Sequence, residues 1–392
     1  MAATNHHETV VAEKMAAGGD AIAHLADGRV VFVDGALPGE RVRVAVTTTK
    51  KDFAKGSVAE VLDASPSRVA PPCPALAAGC GGCQWQHVAP EAQVGLKTAI
   101  VEEALRRTGR LEAPEVREGG AVPAWAYRST VRFAVAPDGR VGFRAGSSRR
   151  VVPVDGCPVA HPAIDAMVPG LRVRGAEEVT VRVSAATGEC TVLPSDPRAR
   201  VQGLPGGVAV GPEAVLHETV AGVSLRVSAA SFFQSGPAAA ELLVRTVREA
   251  AGDALGHGAS LDAYGGIGLF AATLPLADAT IVESSRSACA DARVNVPAAE
   301  VVCSGFEDWS PHPVHLAVVD PARAGLGARG VEALVAAAPA RVVLVSCDPV
   351  SLARDAALLT ARGYGHRGST VLDLFPNTPH VEVVTVFEPA AG

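Results

Sequence analysis

Aromatic side chains are scarce: 3 Trp, 3 Tyr and 10 Phe in 392 residues leave few rings to stack on bases. Long apolar runs are missing too. No segment approaches the roughly 20 uninterrupted apolar residues that a membrane helix requires. The first twenty residues, with Glu8, Glu13 and Asp20, lack the basic-then-apolar order of a secretory leader, so a cytoplasmic, membrane-free protein is expected. Positive charge is also in deficit: 35 Lys and Arg against 41 Asp and Glu give a formal charge of -6. That argues against coating nucleic acid through a general positive field, though it leaves room for local basic groups. Lys50, Lys51 and Lys55 form one such group, Arg106, Arg107 and Arg110 a second, and Arg144, Arg149 and Arg150 a third.

What is plentiful is Gly (40), Pro (28) and hydrophobic residues (48%), the composition of a globular chain rich in turns. The length implies two or three domains. Residues 1–64 alternate short β-type runs (RVVFVDG, ERVRVAVTTT, GSVAEVLD) with Gly-containing turns, which points to a small barrel of the OB type. SPSRVAPPCP then reads as a linker. Residues 65–225 combine a helix from Glu91 to about Gly109 with strand-like runs, giving a central α+β region. From 226 to 392 strands and helices alternate, which implies an α/β domain with a parallel, doubly wound sheet. Its last two strands, STVLDLF and HVEVVTVFEP, read as a hairpin at the sheet edge.

Chemistry gathers at the ends of these strands. LDAYGGIGLF is a strand, a Gly-rich turn and a helix, in which Gly266 and Gly268 let a ligand approach the backbone. By itself that turn does not choose between a dinucleotide and another adenosine ligand. VESS places Glu283 about twenty residues on, where a carboxylate suits ribose hydroxyls. DPARAG ends the next strand with Asp320, and its Arg323 suits an anionic or carbonyl-rich substrate. VVLVSCDPV then delivers Cys347 to the same rim.

These segments, with LDLFPNTPHVE and the upstream SFFQ, resemble the RNA (uracil-5-)methyltransferase family, in the branch with an N-terminal TRAM domain and a 4Fe-4S cluster. The resemblance covers nearly the whole chain. It implies a C-terminal Rossmann-like class I methyltransferase domain that uses S-adenosylmethionine, an OB-like TRAM barrel and RNA, 23S ribosomal or transfer, as partner. It makes Cys347 the nucleophile and Glu382 the general base. Gln234, Tyr264, Glu283, Asp320, Gly266 and Gly268 then bind the cofactor, Asp320 and Arg323 face the substrate, and Cys73, Cys80, Cys83 and Cys157 hold the cluster. The first cysteine gap holds six residues where the family's pattern has five, and Gly265 stands where the family has Cys.

The chemistry fits these residue types. A thiolate added to carbon 6 of uracil makes carbon 5 nucleophilic, and a carboxylate must then remove the carbon-5 hydrogen. Asp348 opposes a neighbouring thiolate, so it is expected to turn away and cap the following helix. Phe233 and Phe375 are either stacking platforms or core. Cys190, Cys289 and Cys303 are expected in the core. Zinc is the rival for the four ligand cysteines, but their spacing is unlike two close pairs. Rival functions are an amino-group DNA methyltransferase, which has no use for Cys347 and Glu382, and a non-catalytic iron-sulfur RNA-binding module, which leaves the strand ends unexplained. A monomer is expected.

Overall fold

The computed structural model describes residues 6–146 and 148–390; the first five residues of the expected barrel and the last two of the expected C-terminal domain lie outside the described residues. Strand Arg41–Thr49 shows why the N-terminal region curls into a barrel. Val42, Val44 and Val46 are buried while Arg41 and Arg43 face water, the two-residue alternation of a half-buried strand. It pairs with His6–Val11 and with Phe53–Asp63, and the latter also runs parallel to Val30–Asp34. The barrel interior is completed from outside by Trp85, Val88 and Ile100. Trp85 does more than fill space: its indole Nε1 donates to the Gly19 carbonyl at 3.1 Å, and its backbone N–H donates to the Asn377 carbonyl at 2.9 Å.

The C-terminal sheet is built from β1 (Val116–Ala121), β2 (Ser260–Ala263), β3 (Ala279–Glu283), β4 (Glu300–Cys303), β5 (Leu316–Val319), β6 (Arg341–Ser346), β7 (Tyr364–Asp373) and β8 (Glu382–Pro389). The helices are α1 (Pro90–Arg107), α2 (Pro237–Ala251), α3 (Leu269–Thr273), α4 (Arg286–Asn295), α5 (Gly327–Ala336) and α6 (Pro349–Ala361). Sheet order is β4-β3-β2-β5-β6-β8-β7-β1. From β4 to β6 the strands are parallel, and every residue of β2 and β5 is buried, as expected of strands covered on both faces. The chain steps outward from β2 to β4 and then returns to β5, so the order reverses between β2 and β5. A crevice opens there at the carboxyl ends.

Two expectations are corrected. The last strands are not an edge hairpin: β8 lies between β6 and β7, antiparallel to both, and β1 covers β7 in parallel. In β8, Val383, Val384, Thr385 and Phe387 bury both faces, which demands an interior position, whereas β1 (VREGGA) is mostly exposed and suits an edge. Also, α1 and β1, read from sequence as central, pack on the C-terminal sheet, because Val101 and Leu105 share a core with Leu344, Leu352 and Val371. The rest of the central region is built mainly on a six-stranded mixed sheet around Phe133, Val179 and Val181, with a separate two-stranded sheet of Arg172–Arg174 and Arg200–Gln202. Cys190 and Cys289 are buried as expected, but Cys303, at the open end of β4, is exposed. Among the described residues no helix is long and apolar enough to cross a membrane.

Candidate active site

The glycine turn after β2 is built by conformations that few side chains adopt. Gly266 (φ +56°) and Gly268 (φ +82°) take the left-handed region, and Tyr264 joins them at φ 57°. Gly265 answers a different need: a Cβ there would lie 2.8 Å from Ile281 and 2.9 Å from the Asp262 carboxyl, so this chain has no room for a side chain at that position. Glu283 reaches back from β3. Its carboxylate accepts from the backbone N–H of Gly266 at 3.0 Å and of Ser285 at 2.6 Å, which fixes it at the crevice rim. The Tyr264 hydroxyl donates to Glu307 at 2.7 Å. One cavity is lined by Gln234, Tyr264, Gly266 and Asp320 together with Phe232 and Phe270.

Gln234 is buried, and its segment is anchored by a network that the sequence did not disclose. Asp291 on α4 accepts from the Ser228 N–H (2.9 Å), the Ser228 hydroxyl (2.8 Å), the Ser231 hydroxyl (2.6 Å) and the Arg226 guanidinium. Arg182 adds bonds to the Ser228 and Ser231 carbonyls at 3.0 and 2.9 Å. Buried polar groups paired this fully hold one conformation. Phe233 packs in the core, the second of the two readings offered for it, whereas its neighbour Phe232 is 71% exposed.

At the next strand ends, Ser346 of β6 is the last ladder partner of Val383 in β8, which sets Cys347 opposite Glu382 one step on. Asp320 follows β5, and its N–H donates to the Ala263 carbonyl at 3.1 Å. Burial pushes Asp320 up to about 7, and burial together with the Asp320 charge pushes Glu382 well above the usual carboxylate range. The Cys347 thiol is pushed up to about 12 by burial and then by Glu382 and Asp320, with Arg323 pulling the other way. Asp348 turns from the sulfur as expected: its Oδ1 accepts from the N–H groups of Val350 (3.0 Å) and Ser351 (2.8 Å) and caps α6. Arg323 Nη2 lies 3.4 Å from His380 Nε2, and burial and that guanidinium hold His380 down at about 4. The Arg323 loop is in turn pinned by Asp355, which accepts from Leu326 N–H (2.7 Å) and Gly327 N–H (3.0 Å).

These charges set a pH dependence. A thiol raised this far stays protonated through neutrality, so alkylation of Cys347 by iodoacetamide, followed on its peptide by mass spectrometry, is expected to climb only through the alkaline range. Asp320→Asn removes one opposing negative charge and is expected to shift that curve to lower pH. An unchanged curve would show that Asp320 does not act on the thiol.

Cys73, Cys80, Cys83 and Cys157 line one cavity of about 170 Å³ together with Arg128. Among the described residues no three His, Cys, Asp or Glu are gathered tightly enough to hold a single metal ion. Four thiols on one cavity are the donor set and number that a 4Fe-4S cluster takes. Arg128 Nε donates to the Tyr127 hydroxyl at 3.0 Å, and that hydroxyl donates to the Pro376 carbonyl at 3.3 Å, joining the cysteine cavity to the loop that leads into Glu382.

Comparison with known proteins adds three findings. Residues 9–59 match the TRAM domain. The chain is 37% identical to an uncharacterized RNA methyltransferase of Streptomyces avermitilis, over 96% of this chain and 97% of the relative. It is 34% identical to the 23S rRNA (uracil(1939)-C(5))-methyltransferase RlmD of Methylococcus capsulatus, over 96% of each. Among solved structures, the Pyrococcus abyssi tRNA (uracil-54, C5)-methyltransferase in complex with S-adenosyl-L-homocysteine has the same fold, with a TM-score of 0.72 at 24% identity over 97% of this chain and 99% of that one.

Proposed function

The chain belongs to the RNA (uracil-5-)methyltransferase family, and from that premise we propose that it methylates carbon 5 of one uridine in 23S rRNA through a covalent bond to Cys347. The observation that carries the reading is the placing of Cys347 opposite Glu382 across β6 and β8, with Asp320 at the adjoining strand end. A relative named for 23S rRNA, at 34% identity, supports the ribosomal target. The likeness to the transfer-RNA enzyme is one of fold and does not choose between the two RNAs.

S-adenosylmethionine, when bound, supplies a methyl group on a sulfonium. Glu283 is placed to receive its ribose, while Gly266 and Gly268 keep the turn clear and Gln234, Tyr264 and Asp320 wall its cavity. The target uridine must leave its stack to reach this crevice, and unstacking costs a few kcal/mol. On this reading Arg323, beside His380, and the exposed Phe232, at the rim of that cavity, are the groups offered to the flipped nucleotide. Cys347 Sγ, once ionised, adds to carbon 6, and the electron pair moves to carbon 5, which takes the methyl group. Glu382 then removes the carbon-5 proton, and the returning electrons expel the thiolate. Raising the affinity of Glu382 for a proton suits it as the acceptor. The helix dipole of α6 and Arg323 are the groups that favour the anionic sulfur.

Incubation with RNA carrying 5-fluorouridine and S-adenosylmethionine is expected to give a protein–RNA adduct stable to denaturant, because fluorine cannot leave as a proton does. Cys347→Ala is expected to give none; an equal yield from that variant sinks the nucleophile assignment. Offering transfer RNA and 23S rRNA fragments side by side decides the target.

The same reading gives Cys73, Cys80, Cys83 and Cys157 to a 4Fe-4S cluster that pins residues 73–83 against the segment carrying Cys157. Protein purified without oxygen is expected to contain about four irons and four sulfides per chain. Two or more zinc ions and no iron in their place would end this assignment.

A further inference from the structure

Two cysteines that the methyl transfer leaves unused meet beside Glu283. Cys303 ends β4, and its Cα is the ladder partner of Glu283. Ile281 and Val301, also partners, lie two residues earlier on the same face. The Ile281 side chain comes together with Ala292 and Val296 around Gly268, so this is the face that α4 covers. Cys303 therefore faces α4. From α4 comes Cys289, fully buried, with its thiol donating to the Glu283 carbonyl at 3.2 Å. Both thiols thus converge on Glu283, one from its ladder partner and one through its carbonyl, and, after burial, the Cys303 thiol is the largest influence that pushes Cys289 up, to about 12. One thiol is open to solvent, the other sealed behind it.

We propose that Cys289 and Cys303 are an oxidation site, forming a reversible disulfide with peroxide that weakens adenosine-ligand binding at Glu283. The Cys303 thiolate attacks one peroxide oxygen, giving a sulfenic acid and hydroxide. Cys289 sulfur then displaces the hydroxyl, and its proton leaves with that group as water. Two thiols are oxidised and one peroxide is reduced, with two waters formed overall; a thiol reductant restores the pair by exchange. A disulfide pulls the Cys289 sulfur off the Glu283 carbonyl and draws α4 toward the end of β4. The N-cap of α4 is Ser285, whose N–H holds the Glu283 carboxylate at 2.6 Å, so moving the first turn of α4 turns the acid. The weakening rests on the reading of Glu283 as the ribose acid; the crosslink does not.

The test treats the intact, cluster-loaded protein with hydrogen peroxide, maps peptides without reduction by mass spectrometry, and measures S-adenosylhomocysteine affinity by calorimetry before and after. The expected result is a Cys289–Cys303 crosslinked peptide and an affinity lower by about tenfold, or about 1.4 kcal/mol, both reversed by dithiothreitol. Cys303→Ser, a surface change, is expected to form no crosslink and to keep its affinity through the treatment. A Cys303 oxidised to sulfinic acid with Cys289 still free overturns the proposal, and so does a crosslink that leaves affinity unchanged. Untreated protein that fails to bind S-adenosylhomocysteine at all would overturn the cofactor reading instead, while the peptide map would still report on the thiols.

Discussion

Glu382→Gln is expected to leave methylated RNA fastened to Cys347. The amide occupies the same space at the start of β8 but does not accept the carbon-5 proton, so the reaction runs through thiol addition and methyl transfer and then stops before elimination. Turnover is expected to fall by about 10²- to 10⁴-fold, the range for losing a general base. Unlike Cys347→Ala, the variant makes its bond with ordinary uridine. Denaturing gels of protein with unmodified RNA and methyl-labelled S-adenosylmethionine are the measurement: label should migrate with the protein. Label found only in free RNA, at the normal rate, removes Glu382 from the mechanism. Since burial and Asp320 both raise this carboxyl, replacing it also takes away one of the two negative neighbours that hold the Cys347 thiol up. The first addition should therefore be no slower in the variant, which a single-turnover trace of adduct formation can check.

The second large effect is on stability. Lys97 on α1 and Asp373 at the end of β7 form an ion pair at 2.6 Å with both side chains almost wholly buried. Lys97 also donates to the Phe375 carbonyl at 3.2 Å and lies 5.8 Å from the centre of the Trp85 ring. Removing one partner of a buried pair leaves the other charge without compensation, so Lys97→Met is expected to destabilise the protein by about 3–5 kcal/mol. Adding Asp373→Asn to that variant discards the stranded charge and is expected to recover a good part of the loss. Urea unfolding of the single and double variants is the check. If Lys97→Met unfolds at the wild-type urea concentration, the pair contributes nothing. The single variant is also expected to lose turnover, since residues 374–381 lead directly from this pair into Glu382.

The strand ends were legible in the sequence because strands buried on both faces read as apolar runs, and the polar residues that punctuate them (Glu283, Asp320, Cys347) stand out against Val and Leu. The cap at Asp348 was legible for a local reason, since a carboxylate before a helix has backbone N–H groups within two or three residues. Where the partners lie far apart in the chain, nothing local announced them. Lys97 and Asp373 are separated by 276 positions, and the Arg182, Ser231 and Asp291 network joins three separate segments of the central and C-terminal regions. Strand β1 escaped notice as part of this sheet because VREGGA is an edge strand with little apolar content, so it carries no periodic signal. Phe232 and Phe233 are identical in sequence terms; only the packing around them makes one the core residue and the other the exposed ring. Cys303 likewise looks like any strand cysteine until the shortness of β4 leaves it at the open end.

The turn at Gly19 bears on whether this chain can be taken apart. Gly19 sits at φ +101° directly against Pro379 and the Trp85 indole, where a Cβ would come within 2.6 Å of Pro379. Pro379 stands three residues before Glu382, and Trp85 holds the neighbouring Asn377. The small TRAM barrel is thus one wall of the loop that leads into Glu382, and not a detachable antenna. Cutting the chain after residue 64 would strip that wall away and bare the Trp85 ring, so a transplanted barrel or an isolated C-terminal half is a poor part for building hybrid enzymes. The barrel and the loop before Glu382 have to be exchanged together.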